Sequence, residues 1–130
     1  MTEVESSFSL LHEDIQSWIY SQKWRDLRPA QVEAIKEIRK SSKNLIISAP
    51  TASGKTEAAF LPLISELLDS EKKESLILYI SPLKALINDQ KERLTSITKN
   101  IYIDIVPWHG DIPSNTKNKL FKSLPLVVKY

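Results

Sequence analysis

The sequence predicts an α/β fold, a three-layer parallel sheet with helices on both faces and further helices leading the chain. Short apolar runs alternate with amphipathic helical stretches, as at Leu45-Ile46-Ile47 and Leu76-Ile77-Leu78-Tyr79-Ile80. Strands separated by crossover helices pair in parallel with right-handed connections. A loop, Pro50 to Thr56, joins the first run directly to a helix.

Phe8 to Tyr20 spaces Phe8, Leu11, Ile15, Trp18 and Ile19 as one helix face. Pro29 to Lys40 does the same with Val32, Ile35 and Ile38, and Pro29 suits a first helical position, where its missing N–H costs nothing. Residues 44–49 read as a strand, and Lys55 to Asp69 as a helix bent at Pro62. Ser75 to Ser81 reads as a buried strand, Pro82 to Ile97 as a helix and Ile101 to Val106 as another strand. Ser114 to Ser123 is a weaker helix, and Leu126-Val127-Val128 begins a further strand. In such sheets ligands bind at the carboxyl ends of the strands.

With 130 residues, 42% of them hydrophobic, the chain suits one compact domain and can bury a core. Cysteine is absent, which removes disulfides, thiolate metal sites and cysteine nucleophiles. No apolar run approaches membrane-spanning length and residues 1–9 lack lysine and arginine, so a soluble, cytoplasmic protein without membrane contact is expected. Net charge is +2; the first twenty residues hold four acids and no Lys or Arg, whereas residues 91–130 hold seven Lys/Arg against three acids. That asymmetry suits phosphate-backbone contact, but lysines on helix surfaces are also ordinary solvating charge.

Ala49-Pro50-Thr51-Ala52-Ser53-Gly54-Lys55-Thr56 has the strand-loop-helix context that a phosphate-binding loop needs. Successive backbone N–H groups of the loop after Pro50 and the positive helix end would surround a polyphosphate, and glycine at 54 lets the backbone approach it. Lys55 would sit on the β and γ phosphates, and the Thr56 hydroxyl would bind Mg²⁺, so both are the candidate catalytic positions. Ala49 stands where the general pattern has its first glycine.

The stretch from Ala49 through Thr56 to Glu57-Ala58-Ala59 resembles motif I of superfamily 2 helicases, in which alanine commonly takes that first position. Leu27-Arg28-Pro29-Ala30-Gln31 with Ala34-Ile35 resembles the Q motif, and Tyr79-Ile80-Ser81-Pro82-Leu83-Lys84-Ala85-Leu86 resembles motif Ia. Trp108-His109-Gly110-Asp111 resembles a His-Gly-Asp stretch of Ski-type and large helicase-related proteins, beside the nucleic-acid channel. The resemblance implies a RecA-like fold, a preference for ATP and contact with single-stranded nucleic acid, DNA or RNA. It divides the chain into a leading helix, 1–22, and the front of an ATP-binding domain, 23–130. Gln31 would read the adenine edge with one donor and one acceptor, while Arg28 or Trp24 meets the ring. Trp24 has a second reading as a core anchor.

Ser81, Pro82, Leu83 and Lys84 would meet the sugar-phosphate backbone, with His109 and Gly110 nearby. Taken without the resemblance, Ser81-Pro82 is a helix cap with a first-turn proline, and His109 a hydrogen-bonded loop histidine.

Helicases of this superfamily also carry an Asp-Glu pair for Mg²⁺ and the attacking water, and no Asp-Glu dipeptide occurs here. The expectation is the front part of an ATP-dependent helicase that binds ATP without hydrolysing it alone and is completed by a complementing helicase chain. Two alternatives remain: a non-catalytic interaction module built on a nucleotide fold, and a small-molecule P-loop kinase, for which no arginine-bearing lid is visible.

Overall fold

The computed structural model describes residues 1–71, 76–120 and 126–129, arranged as two compact units, 1–69 and 70–130. The first unit is helical: α1 (Glu3–Phe8), α2 (Glu13–Ser21), α3 (Pro29–Lys40) and α4 (Lys55–Asp69). Its core combines Leu11, Ile15 and Ile19 with Val32 and Ile35 of α3 and Phe60, Leu61 and Ile64 of α4. The spacings i, i+4 and i+3 set these side chains on single faces.

The single helix expected over Phe8 to Tyr20 is two helices. Ser9 closes α1, and the His12 ring starts α2, its Nδ1 accepting the Asp14 N–H at 3.2 Å. His12 N–H also donates to Ser65 Oγ at 3.0 Å, which donates in turn to the Leu61 carbonyl at 2.9 Å and ties the break to α4. At the other end of α1 the Thr2 N–H donates to Glu5 Oε2 at 2.6 Å and the Glu5 N–H donates to Thr2 Oγ1 at 3.2 Å, a reciprocal cap. The Thr2 N–H and hydroxyl hold the Glu5 carboxyl below its ordinary range. Thr2→Ala should lower stability by about 1 kcal/mol, read as a shift in the denaturant midpoint; an unchanged midpoint refutes a stabilising cap.

Residues 44–49 are extended but form no strand. Residues 44–48 make no backbone hydrogen bond among the described residues, and Ile46 is 92% exposed. An apolar, β-branched run is extended by preference, but only ladder partners make it a strand, and the described sheet includes no neighbour for it.

The second unit contains β1 (Leu78–Ile80), α5 (Lys84–Thr98), β2 (Ile105–Trp108), α6 (Ser114–Leu120) and β3 (Leu126–Lys129). The three strands are parallel in the order β1-β3-β2, with Leu78 opposite Val127 and Ile105 opposite Leu126. This agrees with the expected parallel α/β arrangement. The alternation of strand and helix along this unit is also as expected, with α5 buried through Ile87, Leu94 and Ile97 on one face and packed on β2 and β3.

Details differ from the sequence reading. β1 is shorter than the expected strand and is not buried: it lies at the sheet edge with Leu78 and Ile80 exposed. β2 begins at Ile105 rather than Ile101, and α5 begins at Lys84 rather than Pro82. Ser75 and residues 121–123, included in two of the expected elements, lie outside the described residues. No helix among the described residues is long and apolar enough to cross a membrane.

Candidate functional site

The loop between residue 49 and α4 is held by its own backbone and by α3. Ser53 N–H donates to the Pro50 carbonyl at 3.3 Å, with the Ser53 hydroxyl on the same oxygen. Ala58 N–H donates to the Gly54 carbonyl at 2.9 Å, the first bond of α4. Two residues take left-handed backbone angles, Ala52 at φ 60° and Gly54 at φ 80°. For a non-glycine residue such as Ala52 that conformation costs about 1–3 kcal/mol and persists only where the surroundings enforce it.

The enforcing groups come from the start of α3. The Arg28 guanidinium donates through Nη1 to the Ala52 carbonyl. Gln31 is 2% exposed; its Oε1 accepts the Arg28 N–H at 2.9 Å and its Nε2 donates to the Gly54 carbonyl at 3.4 Å. One N–H and one lone pair of the carboxamide remain for a further partner. A Cβ added at Gly54 would lie 2.5 Å from Gln31 Nε2, so any other residue there must push the Gln31 carboxamide out of the clamp. The Q-motif-like and motif-I-like stretches, 23 residues apart at Gln31 and Gly54, therefore meet.

Lys55 Nζ folds back and donates to the Ala49 carbonyl at 2.6 Å, so its ammonium stands across the loop concavity. Thr56, half-buried, occupies the first turn of α4 directly after Lys55. Pro50 and Thr51 are exposed at the loop's outer side. The helix end, the backbone loop and an exposed cation together suit a polyphosphate, and a single hydroxyl suits a hydrated Mg²⁺.

Trp24 packs edge-on against Trp18, with ring centroids 5.4 Å apart, and lines a cleft of about 220 Å³ with Phe8, Tyr20 and Leu27. Trp24, read from sequence either as a contact to the adenine ring or as a core anchor, is half-buried. Arg28, expected with Trp24 as one of two alternatives at the adenine ring, also fastens the loop through Nη1, a clamp that was not foreseen.

In the second unit Ser81 is buried and does not cap α5. Its hydroxyl donates to the Leu83 carbonyl at 3.4 Å, and Leu83 occupies the cap position without a side-chain bond. Proline at 82 and the extended Leu83 delay the helix past the serine, overturning the cap reading. Pro82, Leu83 and Lys84 are exposed. His109 is 8% exposed, with Nδ1 accepting the Asp111 N–H at 3.3 Å, and Gly110 stands exposed in the same turn. Lys84 pairs with Asp111, a residue the sequence reading did not select. Lys117 lies 5.5 Å from the Trp108 ring centroid. Among the described residues no cluster of three His, Asp or Glu side chains could hold a metal.

Comparison with known proteins places these features in context. The DEAD/DEAH box helicase family model matches residues 28–129. The ATP-dependent helicase Lhr-Core of Methanothermobacter thermautotrophicus is 43% identical over 136 residues, covering 92% of this chain and 16% of that protein. Its counterpart in Methanocaldococcus jannaschii is 33% identical over 141 residues, covering 95% of this chain and again 16% of the relative. The chain thus spans about a sixth of the length of these curated relatives. Among solved structures, the DUF1998 helicase MrfA bound to DNA and AMPPNP superposes with a TM-score of 0.81 at 26% identity, over 92% of this chain and 17% of that one. Mss116p bound to single-stranded RNA and AMP-PNP shares the fold, with a TM-score of 0.77 at 23% identity over 92% of this chain and 25% of that one.

Proposed function

The chain belongs to the DEAD/DEAH box helicase family, and on that premise we propose that it forms the ATP-binding front of a RecA-like motor domain. It holds ATP with Mg²⁺ at residues 50–56 and contacts single-stranded nucleic acid through Ser81 to Lys84 with His109 and Gly110. The observation that supports this reading most is the clamp of Arg28 and Gln31 on the carbonyls of Ala52 and Gly54. It links the base-reading and phosphate-binding stretches in one structural unit.

In this reading Lys55 exchanges its bond to Ala49 for the β and γ phosphate oxygens, and the Thr56 hydroxyl takes one position on Mg²⁺. When bound, Mg²⁺ neutralises charge on those oxygens. The remaining N–H and lone pair of Gln31 meet the adenine edge. Hydrolysis in this reading calls for an Asp-Glu pair to hold Mg²⁺ and orient the attacking water, and these 130 residues contain none.

Displacement of a fluorescent ATP analogue by unlabelled nucleotides, with Mg²⁺ present, tests this reading. GTP should compete at least about tenfold more weakly than ATP, since guanine presents an acceptor where adenine presents a donor and leaves a buried carboxamide group unmatched. Equal competition would sink base reading by Gln31, and no saturable binding would sink the nucleotide site. Phosphate release measured alongside, with and without single-stranded nucleic acid, separates binding from turnover.

A further inference from the structure

We propose that Asp111 acts as an internal competitor for the nucleic-acid phosphate, holding the Lys84 ammonium until a strand displaces it. The inference rests on the nucleic-acid reading of Ser81 to Lys84 given above. Lys84 is the first residue of α5 and the one cation within that stretch. Its Nζ is paired with Asp111 Oδ2, the two side chains being 44% and 71% exposed. The pair is therefore open to solvent and can exchange partners.

The backbone of Asp111 is held in place by the turn it belongs to. Its N–H donates to Nδ1 of the buried His109 at 3.3 Å, and the Ile112 N–H donates to the His109 carbonyl at 3.2 Å. These two bonds close the turn after β2 and fix the backbone from which its short carboxylate meets the Lys84 ammonium. His109 is thus a positioning residue, while the turn places no steric demand on Gly110, with nothing within 4 Å of where its Cβ would be. A carboxylate and a phosphate diester offer the ammonium the same chemistry, an anionic oxygen, so they compete for it. The carboxylate lowers affinity while keeping Lys84 oriented, which weakens engagement with stray anions and favours a strand that makes further contacts.

The test is a double-mutant cycle read by fluorescence anisotropy with a labelled single-stranded oligonucleotide on the full chain. Exposed pairs of this kind contribute modestly, so Asp111→Asn should tighten binding about two- to fivefold. Lys84→Ala should weaken it, and in the Lys84→Ala background Asp111→Asn should give no gain. An equal gain in both backgrounds would mean general relief of negative charge and overturn the competition. An unchanged affinity in Asp111→Asn, with Lys84→Ala still weakened, would overturn it while leaving the nucleic-acid reading intact. Binding absent from the wild type and Asp111→Asn alike would remove both. Circular dichroism of each variant confirms that the fold is retained.

Discussion

Lys55→Ala is expected to weaken binding of a fluorescent ATP analogue with Mg²⁺ by about ten- to a hundredfold. Hydrogen bonds from a charged group are worth about 1.5–3 kcal/mol, and each 1.4 kcal/mol is tenfold in affinity. The side chain is exposed and donates to the Ala49 carbonyl, which water can satisfy once the ammonium is gone. Stability should therefore change little, and a titration of wild type against variant isolates the phosphate contact. Saturable binding that ignores the substitution would remove the loop from the nucleotide site.

Gly54→Ala should act on both folding and binding. The residue sits at φ 80°, and the new Cβ would lie 2.5 Å from Gln31 Nε2 and 3.4 Å from its Cδ. A left-handed angle on alanine costs about 1–2 kcal/mol by itself. The neighbour is the end of a side chain, but one tied to Arg28 and the Gly54 carbonyl and almost fully buried. We expect a loss of about 1–3 kcal/mol in denaturant unfolding, together with weakened nucleotide binding. Adding Gln31→Ala should return the part caused by the clash and leave the part caused by φ. Gly110→Ala, whose added methyl meets nothing within 4 Å, should be close to neutral. A Gly54→Ala protein as stable and as tight as wild type would refute the fitted clamp.

The sequence made the phosphate loop legible because its chemistry is local. Gly54, Lys55 and Thr56 stand next to one another, flanked by an apolar run and a helix, and the structure keeps that order. The helices α3 and α4 were legible from their apolar spacing, and the parallel pairing of β1, β2 and β3 from the helices between them. The break between α1 and α2 was not, because apolar spacing ran through it; a histidine acting as a cap carries no strong sequence signal. The paired state of residues 44–49 was not legible either, since a ladder depends on partners distant in sequence. Residue types at the site pointed to ligand contacts and missed contacts within the protein. Arg28 and Asp111 look like groups meant for a nucleotide or for water, yet one fastens a carbonyl 24 residues away and the other answers a lysine 27 positions earlier. Only the folded geometry joins them.

The single carboxamide of Gln31 has a thermodynamic consequence for ATP recognition. It touches the loop carbonyl at Gly54 and, in the proposed reading, the adenine edge, so the two ends of the nucleotide do not bind independently. A base bonded to the Gln31 carboxamide changes its bond to the loop carbonyl, and phosphates bound at the loop act back on the base to the same extent by linkage. Adenosine and inorganic polyphosphate offered separately would each engage only one side of that shared carboxamide. Cooperativity of this kind needs no movement of α3, only one side chain held in common.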